Sequence, residues 1–192
     1  MILKSDIEAD AKSIIEALKG DYIIPTSGQI IWPVIKVMSV VYLMHLVAYL
    51  ISDIIYHDIG TNLEGKLVCF LLSCGILTVL ALMMTYGNLS LLMCIPKAVR
   101  DKSLLIRLGK EKFKVYGCAI IFINVISAIV MINVESGFIV CYGFSWFACM
   151  LIGGITFSMS MSRYMTPAVV ATLDKIRQVV SSEEIESSKP NS

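Results

Sequence analysis

The sequence predicts an all-α, polytopic membrane protein: four transmembrane helices, short amphipathic cytoplasmic helices, and both ends on the cytoplasmic side. Three observations lead there. Of the 192 residues, 57% are apolar and 16% charged, whereas soluble domains run nearer about 45–50% and 25%; the mean hydropathy is +0.79. Residues 67–96, 115–134 and 136–162 carry no charge at all, and a helix needs about 20 apolar residues to cross roughly 30 Å of hydrocarbon. Lys and Arg are also segregated: fourteen of the sixteen fall in residues 1–32, 97–114 and 163–192. This composition excludes a soluble enzyme, a secreted disulfide scaffold and a disordered chain.

Residues 1–29 read as an amphipathic cytoplasmic or interfacial helix. Leu3, Ile7, Ala11, Ile14, Ile15 and Leu18 share one helical face, with charges on the other. Ser5 with Glu8 has the spacing of a capping box, and Gly20 that of a C-terminal stop. Asp6, Glu8, Asp10 and Glu16 fill the region that a cleavable signal would make basic and then apolar. No Cys stands near the start, and Lys189-Pro190-Asn191-Ser192 is no prenylation box. The first span is therefore expected to serve as its own uncleaved insertion signal.

The membrane domain is expected to cover residues 30–163. Span 1, about 30–55, carries Lys36 and Asp53 close enough to its two ends to snorkel, and His45 in its middle. Span 2, about 67–88, is followed by apolar residues to Ile95, and Gly87-Asn88 marks a break or the exit. Spans 3 and 4, about 115–134 and 138–162, form a helical hairpin around Asn133 to Gly137, with Arg163 as the stop. The segment 96–114 reads as a basic cytoplasmic loop. It holds seven bases against Asp101 and Glu111, with Leu104, Leu105, Leu108 and Phe113 interleaved. Residues 164–192 open with the cap-and-first-turn pair Thr166-Pro167. Val169, Val170, Leu173, Ile176 and Val180 then follow at helical spacing, and an acidic, Ser-rich end beyond Ser181 reads as disordered. Outside the bilayer, none of residues 1–29, 96–114 and 164–192 reaches the roughly 50 residues of an independent domain.

Direction follows from the bases. Residues 56–66 contain only Lys66 and residues 133–137 none, so the count alternates as the chain crosses. Both termini and the middle loop are therefore expected in the cytoplasm.

Candidate chemistry is sparse. Cys69, Cys74, Cys94, Cys118, Cys141 and Cys149 all fall in or at the edges of spans, with no CxxC pair, and read as free packing residues. Cys69 and Cys141 lie near the outer face and are the one pair placed to join. His45, Tyr49, Ser52 and Tyr56 form one semi-polar stripe on span 1. That stripe is either a proton relay or interhelical packing. With no acid in the middle of another span, packing is the expected role. His57 and Asp53 stand one turn apart at the outer interface, where an exposed pair means little. The GxS of Gly143-Phe144-Ser145 matches rhomboid-type proteases by chance, since both histidines precede the serine and the spans are too few. Gly154, Ser158 and Ser162 make a small-residue strip that admits a close partner helix, from this chain or from a second copy. Bases beside a membrane follow from topology and anionic lipid, so no nucleic acid is expected. No metal, cofactor or catalytic motif appears, and the spans show neither midplane charge nor an inverted repeat for transport.

What remains are surfaces for recognition. The run Leu18-Lys19-Gly20-Asp21, then Ile24-Pro25, then Trp32-Pro33 entering the first span, follows the amphipathic N-terminal helix. It resembles the inner-membrane entry exclusion proteins of F-type conjugative plasmids, the TraS family. The resemblance covers about residues 12–36 together with length and span layout. It implies a bacterial inner-membrane protein that blocks redundant plasmid entry by recognising the donor's mating-pair stabilisation protein, TraG, and it carries over no catalytic residue. The alternative is an immunity protein against a pore-forming bacteriocin, or another small non-enzymatic interaction subunit.

A standard interface engages about 20–30 residues per side. The outer segments fall short of that, so recognition is expected on the cytoplasmic side, with Lys97, Arg100, Lys102, Arg107 and Lys110 as candidates. The exception is a partner that enters the bilayer or touches only Tyr56, His57, Asp58 and Glu64. Equally open is that the amphipathic helices merely lie on the membrane. Reporter fusions test the topology: those after Asn62 and Ser136 are expected to read outside, those after Gly109 and Ser182 inside. A cytoplasmic signal at Asn62 overturns it.

Overall fold

The computed structural model describes residues 3–18, 25–57, 63–167, 169–171 and 174, and among these every regular element is helical. Helix α1 spans Lys4–Leu18. The Asp6 carboxylate accepts the Leu3 N–H at 3.3 Å. Ser5 is thus already inside the helix and cannot cap it, and Glu8 pairs instead with Lys4 at 3.6 Å. Gly20 lies outside the described residues.

Helix α2 spans Ser27–Ile55, three residues earlier than expected. Thr26 donates its N–H to the Gln29 side chain at 3.2 Å, half of a capping box. Pro33 falls inside α2. A membrane helix tolerates the missing donor because surrounding groups re-satisfy the freed carbonyl. The helix ends where His57 turns to a φ of 54°, the left-handed conformation that closes many helices.

The remaining helices are longer than the spans the charges outline. Helix α3 covers Leu63–Cys94, without the break expected at Gly87-Asn88. A Gly costs a helix only about 1 kcal/mol, and burial of Cys94 and Ile95 just beyond favours continuation. The chain leaves the helix at Ile95-Pro96, because the residue before a proline is pushed out of helical conformation. A single turn, α4, covers Lys97–Arg100, and α5 then runs from Leu104 to Val134. The basic segment is therefore mostly helix, not loop: Lys, Arg, Leu and Glu are all good helix formers, and charge marks the edge of the membrane, not the end of a helix. Glu135, extended at φ −167°, stops α5. A 3-10 segment over Ser136–Cys141 follows, and α6 covers Tyr142–Ser162, so the last α-helix begins four residues later than the expected Phe138. Helical residues resume at Pro167, where the Thr166 hydroxyl accepts the Val169 N–H at 3.4 Å, the cap its sequence announces. Leu173, Ile176, Val180 and the acidic end lie outside the described residues.

Four of these helices, α2, α3, α5 and α6, are long and apolar enough to cross a membrane. Their outer faces suit lipid. Met83 and Phe144 are 79% and 73% exposed, and rows of large exposed apolar side chains have no place in water. The chain is a multi-pass membrane protein.

Contacts divide the chain into two compact units. One, the His45 unit, comprises Ile31–Tyr86 and Lys114–Thr156. The other, the α1 unit, comprises the described residues of 3–30, 87–113 and 157–174. Within the His45 unit the glycines of α6 set the packing. A Cβ on Gly143 would meet the Ser73 side chain, one on Gly153 would meet Ile120, and one on Gly154 would meet Met84. Gly75, by contrast, has open space around it. Gly143→Ala is therefore expected to destabilise the bundle by about 1–3 kcal/mol through overpacking, and Gly75→Ala to be neutral or stabilising by up to about 1 kcal/mol. Reversible unfolding in mixed micelles measures both; equal effects would refute this packing.

Candidate functional site

Two places gather polar groups, one in each unit. In the His45 unit, His45 is fully buried, and its Nε2 lies 3.3 Å from the Ser73 hydroxyl. Around it stand the rings of Tyr142 at 4.7 Å, Phe70 at 6.2 Å and Tyr49 at 6.3 Å, and Trp146 follows Tyr142 at 6.3 Å. Asn124 is also fully buried: it donates to the Ile120 carbonyl at 2.9 Å and accepts the Ser145 hydroxyl at 3.0 Å. The Tyr142 hydroxyl donates to the Asn124 carbonyl at 3.2 Å. Further bonds knit α2 to its neighbours. Tyr42 bonds Thr78, Lys66 pairs with Asp53 at 2.7 Å, and the Tyr56 hydroxyl donates to the Ile132 carbonyl at 2.7 Å.

In this centre aromatic rings and short polar side chains pack around His45. A serine beside a histidine is half of a nucleophilic pair, but a third group must orient the imidazole. His45 Nδ1 has no hydrogen-bond partner, nor do the Tyr49 hydroxyl and the Trp146 Nε1. The Val41 carbonyl and the Tyr142 hydroxyl approach two of these atoms without reaching hydrogen-bond geometry. Ser145 of the GxS motif is bonded to Asn124, not to a histidine. All six cysteines are free, Cys69 and Cys141 included. Among the described residues no three His, Cys, Asp or Glu side chains are grouped for a metal. The expected stripe on α2 does converge: His45, Tyr49 and Ser52 are buried together, while Tyr56 is 37% exposed. Of the small-residue strip, Gly154 packs on Met84 of the same chain, whereas Ser158 and Ser162 are exposed. Ser73, Asn124 and Tyr142 carry no sequence signal of their own; only their partners in space single them out.

The second place is the α1 unit. Ser103 caps α5 by accepting the Ile106 N–H at 3.3 Å. The Asp10 carboxylate of α1 then accepts both the Ser103 hydroxyl at 2.8 Å and the Leu105 N–H at 2.9 Å. A carboxylate on the N-terminus of a helix meets unpaired donors and the positive end of the helix dipole together. Apolar contacts reinforce this latch. Ile7 and Ala11 pack with Val169, Leu104, Leu105 and Tyr164, and Ile14 packs with Ile95, Val99 and Ile106. Lys112 donates to the Ser160 hydroxyl at 2.6 Å and stands 5.7 Å from the centre of the Tyr164 ring. On this frame Lys97, Lys102, Arg107 and Lys110 are exposed and Arg100 is half-buried.

The other recognition candidates do not join them. Tyr56, His57 and Glu64 belong to the His45 unit and are exposed, while Asp58 lies outside the described residues. Sequence reasoning missed Asp10 and Ser103. Ser103 directly before the apolar pair Leu104-Leu105 is the one signal in the sequence that could have marked a cap.

Comparison of the chain with protein-family models, curated proteins and solved structures finds no match.

The latch is testable by accessibility. Ala11 is 1% exposed, so a cysteine placed there should label slowly with a maleimide. Losing a capping carboxylate costs about 0.5–2 kcal/mol, so Asp10→Ala should raise that labelling rate severalfold, and Asp10→Asn, which keeps an acceptor oxygen, by less. Unchanged labelling in Asp10→Ala would show that α1 is held without the latch.

Proposed function

We propose that this chain works by binding a partner at the membrane rather than by catalysis or transport, as an entry exclusion protein of the bacterial inner membrane. In this reading it sits N-in and C-in, and the α1 unit faces the cytoplasm. There it recognises a TraG-like mating-pair stabilisation component delivered by a donor cell, and so blocks redundant plasmid transfer. The single observation that carries the binding reading is the latch of Asp10 on the start of α5. It fixes α1, the basic helices and the Thr166 turn into one folded surface drawn from three separate parts of the chain. The buried apolar face of α1 supports this too: Ile7, Ala11 and Ile14 are 5%, 1% and 5% exposed, and so are not free to lie in lipid. The identity of the partner rests on the resemblance over about residues 12–36. A non-enzymatic role is supported by the His45–Ser73 pair, whose imidazole Nδ1 has no hydrogen-bond partner.

Expression in a recipient strain is expected to lower acquisition of an F-type plasmid by at least tenfold, without altering acquisition of an unrelated one. Replacing His45, His57, Ser145 or any cysteine singly should leave exclusion intact where membrane levels are normal. Exchanging residues 97–113 with those of a protein of different specificity should change which donor is excluded. No protection against any F-type donor would end the exclusion reading, and protection against a pore-forming toxin would replace it.

A further inference from the structure

We propose that the α1 unit holds a lipid: its apolar cavity seats part of one acyl chain of an anionic phospholipid whose phosphate is held by the bases flanking it. The inference does not rest on the exclusion reading. The cavity measures about 180 Å³ and is partly open. Ile14 of α1, Leu92 of α3, Ile106 of α5, Met161 of α6 and Val169 contribute to its wall, and Asn88 is its one polar side chain. Water held in a protein needs about 2–4 polar partners, and a dry cavity of roughly 150 Å³ suffices to bind a molecule the size of benzene. This space therefore favours a few carbons of hydrocarbon over water. The methionines in its wall adapt to a flexible guest.

Charge supplies the second half of the argument. Val99 of α4 and Ile106 of α5 pack on the Ile14–Ile95 cluster that lines the cavity. Lys97, Arg100 and Arg107 therefore stand within two residues of the wall or its packing. None of the three makes an ion pair among the described residues. Of the acids that stand as near, Asp10 is occupied by Ser103 and Leu105, which leaves Glu16 and Asp101 against the three bases. Unpaired bases beside an apolar slot at the ends of three membrane helices complement one molecule in particular, an anionic lipid. Each base near a membrane surface adds about a fivefold preference for anionic over neutral lipid.

The test uses the full chain purified in a non-ionic detergent, incubated with equal amounts of phosphatidylglycerol and phosphatidylcholine of the same acyl chains. Native mass spectrometry then counts the lipid retained. The wild type is expected to keep one phosphatidylglycerol per chain, in preference to phosphatidylcholine. Ala11→Phe and, from another wall, Leu92→Trp should weaken retention about tenfold while helical circular dichroism is kept, the effect of denying about two methylenes apolar contact. Joint replacement of Lys97, Arg100 and Arg107 by Gln should bring phosphatidylglycerol down to the level of phosphatidylcholine. These three side chains lie outside the core, so this variant decides the matter even if the filled ones fail to fold. Leu72→Trp, on an exposed face of α3, should change nothing. Equal retention of the two lipids by the wild type, unaltered retention in folded filled variants, or an equal loss in Leu72→Trp would each overturn the proposal.

Discussion

A peptide group inside hydrocarbon has no water to bond, and every other feature of this chain follows from that constraint. An unpaired backbone donor there costs several kcal/mol, so the helical ladder continues through residues that would end it elsewhere. Pro33, for example, sits within α2. Helices α3 and α5 reach 32 and 31 residues, or about 46–48 Å at 1.5 Å per residue. That exceeds a bilayer core of about 30 Å by several turns. The surplus is put to use: residues 87–94 of α3 and 104–113 of α5 take part in the unit that binds α1.

Association of the helices needs a different force, because lipid tails are as apolar as leucine. Close approach and side-chain hydrogen bonds supply it. Gly143, Gly153 and Gly154 let α6 press against side chains of α3 and α5, and Tyr42–Thr78, His45–Ser73 and Ser145–Asn124 bind the faces together. The same centre leaves His45 Nδ1, Tyr49 Oη and Trp146 Nε1 without partners. Each unpaired group costs about 1–3 kcal/mol, so this interior favours specific helix register over maximal stability.

How much of this was legible in the sequence depends on the range of the interaction. The charge-free stretches gave away the number of spans, since lipid solvation is a local property of consecutive residues. Helix ends were less legible. The bases from Lys97 to Lys114 mark an edge of the membrane, yet Leu104 to Lys114 is helix because helix propensity takes no account of charge sign. Caps set by neighbours three residues apart were readable in kind: Thr166 caps as its sequence announces, while Asp6 displaces Ser5. What could not be read were partners far apart in the chain. Asp10 meets Leu105 across 95 residues, and His45 meets Ser73 across 28, with no periodicity to betray either.

The latch also decides between two roles for α1 that its amphipathic pattern leaves open. A helix that lies on a bilayer keeps its apolar face for lipid. In α1 that face is used inside the protein, with Ile7, Ala11 and Ile14 buried. An apolar stripe alone would let α1 slide or rotate against its seat. Asp10 adds direction, because its carboxylate can accept from both Ser103 and Leu105 in only one register. The result is a single seat for α1, built from the start of α5 together with Tyr164 and Val169.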